Sequence, residues 1–267
     1  MPPTDASTPD GAPSSQEPVL TSQHGSTLLV TLNRPRARNA IDRATAEAIG
    51  RAMDELDSRP DLAVGVITGA APAFCAGMDL KAFLRGERPT TDRGFAGLTA
   101  RPPAKPLIAA VEGPALAGGF EIVLACDLVV AAETASFGVP EVTRGLVAAA
   151  GGVLRLQERI PFNLAMEWVL TGAMVDAATA QRVGLVNRLV PPGAAVETAL
   201  ELAAVIAANA PLAVRASKRI LRESRDWPQP EAFDRQAPIV AVAQGSADAR
   251  EGALAFTEKR APVWRGE

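Results

Sequence analysis

The stretch Leu107-Ile-Ala-Ala-Val-Glu-Gly-Pro-Ala-Leu-Ala-Gly-Gly-Phe-Glu121 carries the fold in miniature. Leu107 to Val111 is the continuous apolar run expected of a buried strand, a glycine turn follows, and a short helix is predicted from about Gly119 to Ala125. Leu128 to Ala132 then reads as the next strand. Upstream the order is the same. Thr27 to Leu32 is a β-rich run stopped by Asn33-Arg-Pro35. From Asp42 the chain turns helical, with Ile49, Ala52, Met53 and Leu56 on one face and Arg59-Pro60 as the stop. Leu62 to Thr68 is a second buried strand ending in Gly69, and Leu154 to Ile160, Ala177 to Arg182 and Val186 to Val190 continue the alternation more weakly. Repeated strand–helix units predict an α/β domain with helices covering sheets. After Pro191-Pro192 the segments Ala195 to Ala208, Pro211 to Ser224 and Ser246 to Phe256 are predicted helices, Pro211 suiting a first helical turn. This helical region can cap the same core or pack against another subunit. The expected divisions are a tail over residues 1–18, an α/β core over 19–192 and a helical region over 193–267.

At 267 residues with 48% apolar side chains, the chain has material for one large domain, or a domain with a small appendage. A net charge of -3 and a pI near 5.4 give no global basic field, which argues against nucleic acid as a partner. Cys75 and Cys126 are too few and too far apart for a disulfide framework or a cysteine zinc site, and they point to a reducing cytoplasm. His24 is the sole histidine, so a Ser-His-Asp triad or a histidine-based metal site lacks material. Acid–base work therefore falls to carboxylates. Met1 to Pro18, rich in Pro, Ser, Thr and Asp, reads as a disordered tail without the marks of a signal peptide. No run of apolar residues reaches the length of a membrane span.

Two glycine turns, Phe74-Cys-Ala-Gly-Met-Asp-Leu-Lys81 and Gly113-Pro-Ala-Leu-Ala-Gly-Gly-Phe-Glu121, each follow a strand and precede a helix. The residue after such a turn has an N–H with no helical partner. Met78 fits that description in the first turn and Gly118 and Gly119 fit it in the second, and two such donors aimed at one point make an oxyanion hole. Glu121 falls in the first turn of the helix after Gly118, and Glu141 directly follows the proline-stiffened turn Phe137-Gly-Val-Pro140. Beside an oxyanion hole, two carboxylates can hold one water and move one proton. Lys81, Arg36 and Arg38 flank the first turn and the first strand end, where a phosphate-rich substrate handle would use them. Cys75 reads as a small buried hydrophobe. The second turn lacks the Gly-Lys-Ser/Thr ending of a P-loop, and no Gly-x-Gly-x-x-Gly follows the first strand.

In these segments the chain resembles the crotonase, or enoyl-CoA hydratase/isomerase, superfamily, from about Leu28 to Gly266. The likeness rests on Leu32-Asn-Arg-Pro-Arg-Ala-Arg-Asn-Ala40, on both glycine turns, on Phe137-Gly-Val-Pro-Glu141, on Gly184-Leu-Val-Asn187 and on Glu258-Lys-Arg-Ala-Pro262. The resemblance implies a spiral of ββα units with a helical C-terminal trimerisation region, assembled as a homotrimer or a hexamer. It implies an acyl-CoA thioester substrate, with coenzyme A entering only as part of that substrate and no metal or redox cofactor. Met78 and Gly118 would supply the oxyanion-hole N–H groups. Ala76, Asp79, Leu80 and Lys81 with Met78 would line the path of the CoA, Arg36 and Lys81 would meet its phosphates, and Lys259 would reach a neighbouring subunit's CoA. Hydratases of the superfamily carry two carboxylates, and this chain has both, Glu121 and Glu141, at a spacing of 20. The implied reaction is syn addition of water to a 2-enoyl-CoA, Glu121 activating water for C3 and Glu141 protonating C2.

Four residues depart from the pattern. Ala117 and Phe120 stand where a Gly and a smaller residue are usual, and Ala148-Ala149 replaces a Pro-Gly-like pair near the backbone that seats the water. Phe120 is expected to narrow the acyl pocket. An enoyl-CoA isomerase using Glu141 alone, other crotonase chemistries and a weakly catalytic acyl-CoA-binding protein stay open as alternatives.

Overall fold

A computed structural model describes residues 17–267, so all of the expected tail except Glu17 and Pro18 lies outside the described residues. Strands β1 (Val19–His24) and β2 (Thr27–Leu32) form an antiparallel hairpin with Val19 opposite Leu32 and His24 opposite Thr27. Helix α1 (Arg43–Ser58) starts where the Asp42 carboxylate accepts the Thr45 N–H at 2.8 Å, and it buries Ile49, Ala52, Met53 and Leu56, the predicted face. Strand β3 (Val64–Gly69) is buried at every position and runs parallel to β2. Helix α2 (Leu80–Leu84) follows the first glycine turn, and the short strands β4 (Thr90–Thr91) and β5 (Gly94–Phe95) form a hairpin beyond it.

The chain then winds in repeats. The first is β6 (Leu107–Val111), β7 (Pro114–Leu116) and α3 (Gly118–Ala125). The second is β8 (Leu128–Ala132), β9 (Ser136–Gly138), a 3-10 turn at Pro140–Arg144, α4 (Gly152–Arg159) and α5 (Phe162–Thr171). The third is β10 (Val175–Asp176), α6 (Ala177–Arg182) and β11 (Arg188–Val190). The main sheet has the order β1-β2-β3-β6-β8-β11 and the smaller one β10-β9-β7. Each repeat gives one strand to each sheet and a helix outside them, which is the expected ββα spiral. Between the layers lies an apolar core that includes Phe74, Phe120 and Phe137, all fully buried. The Phe120 and Phe137 rings sit 5.4 Å apart. Phe120 therefore packs into the core and supports the strand that leads to Glu141.

The C-terminal helices are α7 (Ala195–Ala207), α8 (Pro211–Glu223), α9 (Ala232–Gln244) and α10 (Ala247–Glu258). Ala195, Ala199 and Ala203 seat α7 against Val64, Val66, Ile108, Ala110 and Val130 of the main sheet, small residues allowing close approach. Helix α8 is tied down by Asp127, whose carboxylate takes the Leu107 N–H at 2.8 Å, Lys218 Nζ at 2.6 Å and Arg222 Nη2 at 2.8 Å. Among the described residues no single helix is long and apolar enough to cross a membrane. The strand β1 and the helices α5 and α9 have no counterpart in the expectations. Only Val19 of β1 is buried, so this edge strand carries no alternating pattern, and α9 contains Pro238, ordinarily a stop signal.

Candidate active site

The two glycine turns meet in space. The Phe74 and Cys75 N–H groups donate to Pro114 O at 3.0 and 3.2 Å, and Leu116 N–H donates to Cys75 O at 2.9 Å. Gly119 is a glycine because of this pairing: a Cβ there would stand 2.2 Å from Cys75 O. Gly77 has φ +93°, the left-handed region that glycine enters freely, and a Cβ on it would lie 3.0 Å from Gly118 N. At the next residue a strand-like bridge to Ile41 locks the flanking groups, Ile41 N–H to Gly77 O at 2.8 Å and Asp79 N–H to Ile41 O at 2.9 Å. Met78's own N–H faces the other side. Neither it nor the Gly118 N–H donates to a protein acceptor among the described residues. Ala117, with φ +51° and ψ -128°, turns the chain so that α3 begins with Gly118, in a conformation that an L side chain adopts only under strain. The Phe95 ring closes the site next to Gly118, where an added Cβ would come within 2.6 Å of it.

Glu121 is 4% exposed. Its Oε1 accepts the Ala150 N–H at 2.7 Å and the Gly152 N–H at 2.8 Å, at the N-terminal end of α4, where free N–H groups favour an anion. Among the described residues no donor reaches its Oε2. Burial pushes the Glu121 carboxyl above its ordinary range; the Gly152 and Ala150 donors pull it down, Glu141 pushes it up again, and Arg155 pulls it down. Glu141 is half-buried, and its Oε2 is enclosed with no hydrogen-bond partner among the described residues. Burial raises its pKa also, against a pull from its own backbone N–H and from Arg144. Glu141 is thus near enough to Glu121 for its charge to raise the Glu121 carboxyl.

Around this centre, Ala76 is tied by its N–H to Arg38 O at 3.0 Å, which brings the strip holding Arg36 beside the first glycine turn. Arg36, Leu80 and Lys81 are exposed. Asp79 spends its carboxylate on structure: it caps α2 through the Lys81 and Ala82 N–H groups and pairs with Arg34 at 2.9 Å, leaving only its backbone to face a ligand. Lys259, in a left-handed conformation at the end of α10, takes part in none of the site's hydrogen bonds. Cys75 Sγ is fully buried with its thiol pushed up to about 12 by burial, so it stays a neutral hydrophobe. Two residues that carry the site had no sequence role assigned. Asn39 is buried with φ +55°, donates to Ala70 O and Ala73 O at 2.7 Å, and pins the entry to the first glycine turn. An asparagine that tolerates the left-handed region in a polar loop is the signal that would have found it. Arg155 has no comparable signal, because its closer contact, to Thr99 O, spans 56 positions of sequence.

The family model for enoyl-CoA hydratase/isomerase matches residues 22–267. This chain belongs to the enoyl-CoA hydratase/isomerase family. It is 45% identical to the enoyl-CoA hydratase EchA19 of Mycobacterium tuberculosis over 91% of this chain and 95% of that one. It is 44% identical to the carnitinyl-CoA dehydratase of Salmonella typhi over 94% of this chain and 99% of that one. Among solved structures, the enoyl-CoA hydratase EchA1 of Mycobacterium marinum superposes with a TM-score of 0.93 at 53% identity, covering 94% of this chain and all of that one. A probable enoyl-CoA hydratase/isomerase of Mycobacterium abscessus gives 0.92 at 57% identity with the same coverage, 94% and 100%. The family member described here has the crotonase fold, and its two glycine turns pack against one another at the start of the helix that carries Glu121.

Proposed function

We propose that this protein is a hydro-lyase that adds water across the 2,3 double bond of a 2-enoyl-CoA thioester to give the 3-hydroxyacyl-CoA. The observation that carries this reading is the unequal pair of carboxyls beside two free N–H groups. Glu121 has one oxygen held by two backbone donors and the other free; Glu141 has a buried oxygen with no partner. The thioester oxygen accepts hydrogen bonds from Met78 N–H and Gly118 N–H, which hold the charge that develops as C3 is attacked. Glu121, as carboxylate, takes a proton from the water whose oxygen bonds to C3. Glu141, as acid, gives its proton to C2, and a proton passed between the two carboxyls restores the starting state. The same steps reversed dehydrate a 3-hydroxyacyl-CoA, the direction named for the Salmonella relative. Coenzyme A is part of the substrate, and the steps need no metal or redox cofactor.

The backbone from Ala76 through Met78, Asp79 and Leu80 to Lys81 lines the CoA path, and Lys81 and Arg36 meet its phosphates. Lys259 serves the CoA of a neighbouring subunit in a homotrimer or a hexamer. Exposed Phe162, Met166 and Leu170 on α5 and Phe233 and Val242 on α9 support such an assembly, being large apolar side chains left uncovered in one chain. A cytoplasmic location fits the unpaired thiols of Cys75 and Cys126.

The test is loss of crotonyl-CoA absorbance with wild type, Glu121→Gln and Glu141→Gln. Both variants should lose turnover and retain CoA binding. A wild type inactive on short, medium and long 2-enoyl chains overturns the reading. Turnover of a 3-enoyl-CoA that survives Glu121→Gln establishes the isomerase in its place.

A further inference from the structure

Arg155 stands one turn into α4, where three effects oppose a cation. The end of the helix that favours anions is nearby, the side chain is largely removed from water, and Arg222 and Arg159 add like charge. Among the described residues it has no ion pair with a carboxylate. Its guanidinium reaches two backbone carbonyls, Nη1 to Ala150 O at 3.4 Å and Nη2 to Thr99 O at 2.5 Å. Ala150 is the residue whose N–H donates to Glu121 Oε1, and Thr99 belongs to the loop whose Phe95 lies against Gly118. One side chain thus joins the cradle of Glu121 to the wall of the oxyanion hole. A buried cation kept against this cost needs a return elsewhere in the molecule.

We infer that Arg155 is the positioning residue of this site: its fork fixes the Ala150–Gly152 cradle, and its charge keeps Glu121, not Glu141, as the carboxylate that activates water. This deepens the hydratase reading and rests on it for the role of Glu121. The charged groups facing Glu121 are Glu141, from the turn after β9, and Arg155, from α4; those facing Arg155 are Glu121, Glu158 and Arg159, with Arg222 from α8. Glu141 has Arg144 beside it and its own backbone N–H as donor, where Glu121 has the Ala150 and Gly152 N–H groups of the α4 end. Lysine does not reproduce the arrangement, because an ammonium is a point charge and cannot span two carbonyls with a planar fork.

The test uses the full chain with carboxyl-13C glutamate, Glu121 being assigned by Glu121→Gln, in wild type, Arg155→Gln and Arg155→Lys. In Arg155→Gln the Glu121 titration midpoint should rise, and the acid limb of the kcat profile on crotonyl-CoA should rise with it. Its kcat should fall about 10- to 100-fold, with KM within a few-fold of wild type. Arg155→Lys should restore the midpoint and leave kcat depressed. An unchanged Glu121 midpoint in Arg155→Gln overturns the electrostatic part, and a wild-type kcat in Arg155→Lys overturns the fork. If Arg155→Gln does not fold, Arg155→Lys alone decides: a midpoint raised as Glu121 loses the guanidinium refutes the charge argument. A wild type without turnover of short, medium and long 2-enoyl-CoA chains refutes the hydratase reading, while the NMR titration still decides what Arg155 does to Glu121.

Discussion

Gly119→Ala tests whether the contact between the two glycine turns holds the oxyanion hole together. Gly119 does not have a positive φ, so the cost of alanine there is purely one of space. The new Cβ would lie 2.2 Å from Cys75 O and 2.8 Å from Cys75 C, both backbone atoms, and Cys75 O is already engaged by Leu116 N–H at 2.9 Å. Restoring an ordinary contact requires the start of α3 to move about 1 Å away from Cys75, and a misplacement of that size costs about 100-fold in rate. Overpacking of this kind destabilises by about 1–3 kcal/mol, which lowers Tm by roughly 3–10 °C for a chain of this size. The assay is steady-state hydration of crotonyl-CoA, with Tm by calorimetry. The expected result is a kcat about 100-fold down, with KM changed only a few-fold because the proposed Lys81 and Arg36 handles stay in place. Gly245→Ala, at the end of α9 and far in sequence from the turns, serves as a control with near wild-type kcat. A Gly119→Ala enzyme with kcat within about threefold of wild type refutes the reasoning.

Glu121 and Glu141 both have folded-state pKa values raised above the ordinary 4.5, so the stability they lend is present below 4.5 and is lost as pH rises through the folded values. Glu121→Gln and Glu141→Gln should therefore raise Tm at about pH 8 and flatten its dependence on pH above 4.5; a lower Tm for both would contradict the assignment. Asp127→Ala leaves Lys218 buried without its carboxylate and frees the Leu107 N–H, and should cost about 3–5 kcal/mol by urea denaturation, with a loss below 1 kcal/mol counting against the clamp. Ala117→Gly removes a side chain from a backbone at φ +51° and ψ -128°; it should gain about 1 kcal/mol with turnover retained, and destabilisation would show that the conformation is not strained.

Much of the fold was legible because local chemistry writes it. The face Ile49, Ala52, Met53 and Leu56 repeats at the helical period, and the runs at Val64–Gly69 and Leu107–Val111 are apolar at both parities because both faces of those strands are covered. The hairpin strand β1 was hidden because one face of an edge strand meets water, and α9 was hidden because Pro238 sits where the helix tolerates it, on an exposed stretch. Phe120 looked like a pocket residue from its place beside the glycine pair, yet the helix turns it onto Phe137.

The sequence by itself determined which chemistry was possible: glycine turns that free an N–H, two glutamates and almost no histidine leave carbonyl activation with carboxylate acid–base work. These are properties of single residues and their immediate neighbours. Only the tertiary structure decided that the two glutamates are unequal. Glu121 receives donors from residues 29 and 31 positions away and Arg155 reaches across 56 to Thr99, while Glu141 Oε2 is enclosed without a partner. The physical reason is that a carboxyl's proton affinity depends on burial, donors and charges brought together by folding, and none of these is a property of its place in the chain.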